Sequence, residues 1–168
     1  QAEAVRLLLE GGASIGATNG GGASALYIAC QEGRLECVRL LLGAGAAVDQ
    51  ASNDGTTPLY IACWNGQLEC VQLLLGANAD ANQAEDGGAT PLFIACQKGY
   101  LECARLLLGA GAAVDQAKND GTTPLSAASL AGQTDCVRLM IAAGAAVNQA
   151  DTDGFTPLYG ACQEGHPE

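Results

Sequence analysis

Residues 53–66 read NDGTTPLYIACWNG, and near-copies of this stretch run the length of the chain. Locally it is a turn that leads into a short helix. Thr57 stands where an N-cap belongs, with a side-chain oxygen to accept from an unsatisfied helix amide. Pro58 follows at the first helical position, where a missing N–H costs nothing. Leu59, Ala62 and Cys63 then fall on one helical face. Gly66 is placed to end the helix in a left-handed conformation. Beyond it, Leu68, Val71, Leu74 and Leu75 mark the apolar face of a second helix. Asn78 is the next left-handed candidate, because Asn tolerates positive φ where glycine is the usual choice. The remainder, ADANQAEDGGAT at 79–90, is polar and turn-rich and reads as a hairpin-like excursion leading to the next Thr-Pro.

The copies are spaced evenly. Pro58, Pro91, Pro124 and Pro157 lie 33 residues apart, and Ala25 holds the equivalent place before Leu26. Gly33, Gly66, Gly99, Gly132 and Gly165 form one row in this register; Gly45, Asn78, Gly111 and Gly144 form another. Each predicted helix is about two turns, well short of the ~12–15 residues at which an isolated helix becomes marginal in water. Such units gain order only by stacking on their neighbours, and a fixed period of this size is the mark of a solenoid.

The frame predicts a single array. Residues 1–18 supply a second helix and exit loop, 19–51, 52–84, 85–117 and 118–150 are complete units, and 151–168 end after a first helix. Neither end carries a polar capping unit, so the chain reads as a piece of a longer array or as an array with frayed ends. RLLLGAGAAVDQA occurs identically at 39–51 and 105–117; recent duplication and consensus-style engineering both produce such identity.

Composition narrows the partners. With 18 acidic against 7 basic side chains the formal charge is −11. No basic patch is visible, which argues against nucleic acid and against an anionic membrane surface. No apolar run is long enough to span a bilayer. A basic or amphipathic protein segment suits the charge better, since opposite charge speeds encounter.

The pattern DG-x-TPL-x-x-A, followed by G-x-LE-x-V-x-LLL-x-x-GA, resembles the ankyrin repeat over essentially the whole chain. The resemblance implies an all-α repeat solenoid of stacked helix-turn-helix units with projecting β-hairpin loops. It also implies a non-catalytic role in protein–protein interaction, through hairpin tips and a concave helical face. The family usually carries His after Thr-Pro-Leu, where it ties the turn together. Here that slot holds Tyr27, Tyr60, Phe93, Ser126 and Tyr159, so the turns must be held in another way. The first complete unit has GGGASAL in place of NDGTTPL, and its flexible glycines predict a looser leading loop.

Family contacts concentrate on hairpin residues and on the two residues that follow the Ala-Ala of the first helix. In this chain the latter read Gln31-Glu32, Trp64-Asn65, Gln97-Lys98, Leu130-Ala131 and Gln163-Glu164. They vary while the framework hardly does. Trp64 and Leu130 are apolar where their siblings are polar, and Phe155 sits on a hairpin among Thr56, Ala89 and Thr122. Asp54, Asp86 and Asp120 form an acidic fringe. Trp64, Asn65, Lys98, Leu130, Asp54, Asp86, Asp120 and Phe155 are therefore the candidate partner-binding residues. Against this stands a packing role for Trp64, laid flat on Tyr60 and Lys98. A passive scaffold without its own ligand is the alternative function.

Chemistry has little foothold. Cys30, Cys63, Cys96 and Cys162 share one slot and Cys37, Cys70, Cys103 and Cys136 another, as a ladder of metal sites would. Yet there is no C-x-x-C and no nearby His, and free Cys packs as a small apolar residue. The resemblance agrees, because the family places Ala and Val in these slots. Eight reduced thiols suggest a cytoplasmic protein, and a monomer is expected. GAGAAV at 43–48 and 109–114 is half a dinucleotide fingerprint, but it follows a helix instead of a strand, so Gly45 and Gly111 read as helix stops. His166 is a lone terminal histidine and reads as part of a structural turn. Glu85 with Asp86 and Asp151 with Asp153 sit on loops, where carboxylates cap turns more often than they catalyse. No cofactor or metal is called for.

Overall fold

A computed structural model describes residues 1–163. Ten α-helices occur among them, in two alternating sets. The first helices of the repeats are α2 (Ala25–Gln31), α4 (Pro58–Trp64), α6 (Pro91–Lys98), α8 (Pro124–Leu130) and α10 (Pro157–Gln163). The second helices are α1 (Ala2–Glu10), α3 (Leu35–Gly43), α5 (Leu68–Gly76), α7 (Leu101–Gly109) and α9 (Thr134–Ala142). The chain divides into two compact units, Gln1–Asp80 and Ala81–Glu168.

Each unit is a stack of helix-turn-helix repeats. In the first, α2 packs on α3 and α4 on α5 within their repeats; between repeats α2 packs on α4, α3 on α5 and α1 on α3. The second unit repeats the scheme, with α6 on α7, α8 on α9, α6 on α8, α8 on α10 and α7 on α9. Within each unit first helices thus form one row and second helices another, and the repeated leucines fill the space between. Leu26, Leu59, Leu92 and Leu125 are all buried, as are Leu41, Leu74, Leu107 and Met140 at one position of the second helices. Burying each is worth roughly 1.5–3 kcal/mol, far more than a two-turn helix gains by itself.

The helix ends follow the sequence. Thr57, Thr90 and Thr123 accept from the amides of Tyr60, Phe93 and Ser126 through their hydroxyl oxygens. In the proline-less first repeat Ser24 does the same for Tyr27. Asn78, at φ 63°, is the one described non-glycine residue with positive φ, at the turn where Gly45, Gly111 and Gly144 stand in the other repeats.

Among the described residues the excursions contain no strand, only an isolated antiparallel bridge between Thr18 and Ser24. They are hairpin turns in which the first residue donates to the fifth, Asn19 N to Ala23 O, Ser52 N to Thr56 O, Glu85 N to Ala89 O, Lys118 N to Thr122 O and Asp151 N to Phe155 O, and accepts from the fourth, a glycine in every case. Neighbouring tips are linked within each unit. Asn53 donates from its backbone amide to Gly21 O and from its side chain to Gly20 O. Asn119 does likewise to Gly87 O and Asp86 O, and Thr152 N donates to Asp120 O. The glycine-rich loop of the first repeat therefore has the same turn closure and neighbour link as the others.

Candidate interaction surface

The side chains that hold the hairpin tips come from two alternative positions. In two loops an aspartate at the third position accepts from the residue two further on. Asp54 Oδ1 takes the Thr56 amide at 3.1 Å and the Thr56 hydroxyl at 2.7 Å, with Ser52 Oγ as a further donor. Asp120 takes the Thr122 amide at 2.9 Å and Lys118 Nζ at 3.2 Å. In the other loops the acceptor is the first residue. Asn19 receives the amides of Gly21 and Ala23, Glu85 those of Gly87 and Ala89, and Asp151 those of Asp153 and Phe155.

These bonds set the charge state of the tips. Hydrogen bonds from Ser52 and then Thr56 hold the Asp54 carboxyl below the ordinary carboxylate range. The Thr122 side chain and then its amide, with Lys118 contributing less, bring Asp120 down to about 2. Both acids remain anionic while serving the turn. Asp86 differs from them. It occupies the slot of Asn53 and Asn119, is exposed, and contributes its carbonyl oxygen to the inter-tip link.

The exit loops contain a second linkage that sequence reasoning passed over. Asp49 Oδ1 accepts from Asp80 N, Asn82 Oδ1 from Ala113 N and Asp115 Oδ1 from Ala146 N, each reaching from one repeat to the next. Their common signal was visible, an Asp or Asn directly after the repeat's Ala-Val or Asp-Ala.

The slot that holds His in the family is filled by several different devices. Tyr27 Oη lies 3.1 Å from Thr56 Oγ1 on the following hairpin. Phe93 is buried, with Lys118 Nζ 5.5 Å from its ring centroid. Ser126 Oγ is 3.1 Å from the cap hydroxyl of Thr123. Tyr159 stacks on Phe155 at 4.5 Å. Phe155 is thus tied to its own repeat on one face and open to solvent elsewhere.

In the first unit, Trp64 closes α4 with 42% of its surface exposed. Its ring is 6.2 Å from that of Tyr60 and tilted by 34°, so it does not lie flat on Tyr60. Asn65 follows as the helix C-cap, its side-chain amide donating to Ile61 O at 3.0 Å. In the second unit, Lys98 is exposed at the end of α6, and Leu130, also 42% exposed, ends α8. A Cβ at Gly160 would lie 3.4 Å from Leu130 Cβ, so the small residue in α10 leaves room for it. The apolar candidates are accessible, whereas Asp54 and Asp120 are engaged in their own turns.

A family model described as ankyrin repeats (3 copies) matches residues 1–85 and again 92–168, and one described as ankyrin repeats (many copies) matches 66–108. The chain belongs to the ankyrin-repeat family. A search of curated proteins gave no match. Ankyrin repeats in general act as protein–protein interaction modules. Among the described residues of this ankyrin array no helix is long and apolar enough to cross a membrane. Among the described residues no group of three or more His, Cys, Asp or Glu side chains is placed to hold a metal ion.

The eight cysteines of the array are thiols. Seven are buried and Cys162, on α10, is exposed. A hydrogen bond shared with Cys70, reinforced by burial, pushes the Cys30 thiol up. His166 lies outside the described residues.

Proposed function

We propose that this ankyrin array is a non-catalytic interaction module whose partner is a basic or amphipathic protein segment. The exposed Trp64 is the observation that carries the reading. A half-exposed Trp at a helix end is a strong anchor, worth about 2 kcal/mol or more once a partner covers it. Asn65 in the first unit, and Lys98, Leu130 and Phe155 in the second, are the accompanying contact residues. Asp54, Asp86 and Asp120 provide negative potential that steers a basic segment without surrendering the turn bonds. The array acts as a monomer in the cytoplasm on this reading.

Trp64 is the single tryptophan, so its emission reports on the site directly. Titration with a Lys- and Leu-rich amphipathic peptide should shift the emission saturably, and more weakly at high salt. The double variant Trp64→Ala, Leu130→Ala should stay folded and bind less, as followed by a label on the peptide. Binding that is unchanged in the double variant would remove these residues from the interface.

The identical segments at 39–51 and 105–117 favour a second reading, a spacer-like scaffold with no ligand of its own. Its mark is an absence of saturable binding by any segment of the charge and pattern tested.

A further inference from the structure

The helices α3, α5, α7 and α9 each carry a cysteine as their third residue: Cys37, Cys70, Cys103 and Cys136. The first turn of a helix favours negative charge, so a thiol there yields its proton more readily than one further along. In the second unit the Cys136 thiol is in hydrogen-bond contact with that of Cys96, on α6 of the preceding repeat. Cys30 and Cys70 make the same contact in the first unit, so the pairing is a product of the repeat. Both members of each pair are buried.

Cys136 is not sealed in. A cavity of about 300 Å³ lies at the start of α9, and its lining includes Gly99, Gly132, Gln133, Thr134, Asp135 and Cys136. Gln133 precedes the helix and makes no side-chain bond to its first amides. Its side chain lies over Gly99 instead: a Cβ added there would stand 2.1 Å from Gln133 Oε1. Donation from the Cys96 thiol draws the Cys136 thiol down, against burial and the charge of Asp135. The thiolate is the form that attacks. Because Cys136 is almost wholly buried where it borders the cavity, only a small oxidant can approach it.

We propose that Cys136 is a peroxide-reactive thiol served by this cavity, with Cys96 as its resolving partner. The Cys136 thiolate attacks one oxygen of hydrogen peroxide, and the O–O bond breaks. Cys136 becomes a sulfenic acid. The second oxygen leaves as hydroxide and takes the proton that the thiol released, giving water. Cys96 then loses its proton and its sulfur attacks that of Cys136. The S–S bond forms, the S–O bond breaks, and the hydroxyl leaves with that proton as a second water. The two thiols lose two electrons in all, and one peroxide becomes two waters. The disulfide ties α6 to α9 and so joins adjacent repeats covalently.

Peptide mapping by mass spectrometry tests this on the reduced 168-residue chain after timed exposure to hydrogen peroxide under native conditions. A Cys96–Cys136 disulfide should appear, more slowly than oxidation of the exposed Cys162. Cys96→Ser should arrest the reaction at the sulfenic acid, trapped on Cys136 by dimedone; serine already stands in this slot at Ser129 of the next repeat. Cys136→Ser should leave Cys96 a thiol. Thr134→Phe, from an exposed position on the cavity wall, should slow the disulfide several-fold. Circular dichroism verifies that the variants fold, and Thr134→Met serves if the ring disturbs the helix. Cys96 and Cys136 that both remain thiols while Cys162 is oxidised overturn the proposal. So does a dimedone adduct on Cys96 in Cys136→Ser, which would reverse the roles. A rate unchanged in the folded Thr134 variants overturns the cavity as the route.

Discussion

Tyr27 Oη and Thr56 Oγ1, 3.1 Å apart, join the first helix of one repeat to the hairpin of the next. Thr56 is itself bound to Ser52 and Asp54, so the phenol completes a part-buried network at the root of the turn. Tyr27→Phe keeps the ring and removes the hydroxyl. It should cost about 1 kcal/mol in urea unfolding, the ordinary net value of such a bond. Combined with Thr56→Val in a double-mutant cycle, the two effects should be less than additive. Strict additivity would mean that the contact contributes nothing.

Asn78 holds a left-handed backbone where Gly12, Gly45, Gly111 and Gly144 stand at the equivalent turns. Asn78→Gly should be neutral or slightly stabilising, and Asn78→Ala should destabilise by about 1 kcal/mol, because a β-carbon without a compensating polar group is strained there. Thermal denaturation of the two variants side by side decides it. An alanine variant as stable as the wild type would contradict the assigned conformation.

Asp120 gives the array a defined acid sensitivity. Its folded-state value, about 2, lies below the ~3.9 of an unfolded aspartate. A depressed carboxyl stabilises the fold at pH values above the unfolded figure, and that contribution is lost as pH falls through the folded one. The gap in melting temperature between wild type and Asp120→Ala should therefore be level above about pH 5 and close between about pH 4 and 2. A gap that is independent of pH would show that the charge is irrelevant to the turn.

The thiols should divide seven to one. Cys162 is exposed and the other seven are buried, and only exposed thiols react readily. In the native protein one thiol should react promptly with a colourless disulfide reagent, and mass spectrometry should locate it at Cys162. All eight should react in denaturant without prior reduction. Rapid native labelling of Cys30 or Cys70 would contradict their burial.

Much of this fold could be read from the chain because its determinants are local. Thr57 and Pro58 mark a helix start, and Gly45 and Asn78 mark helix ends, through backbone preferences that need no partner. The apolar spacing of Leu59, Val71 and Leu74 likewise gave the buried face. What escaped depends on geometry between distant residues. Asp54 and Asp86 look like one acidic fringe in sequence, yet Asp54 holds its turn while Asp86 occupies the neighbouring slot. The exposure of Trp64 and its tilt against Tyr60 depend on how the side chain packs, which no spacing encodes. The reach of Tyr27 to Thr56 depends on how closely adjacent repeats stack.

The two ways of fastening the hairpin tips constrain how this array can be shuffled. A loop that begins with Glu85 can carry glycine at its third place, and one that begins with Ser52 needs the aspartate there. A crossover inside the loop, joining Ser52 to the Gly87 half, would leave the turn amides with no carboxylate to receive them. Recombination between repeats is safe at the helices and hazardous at the tips, so the loops should be exchanged whole.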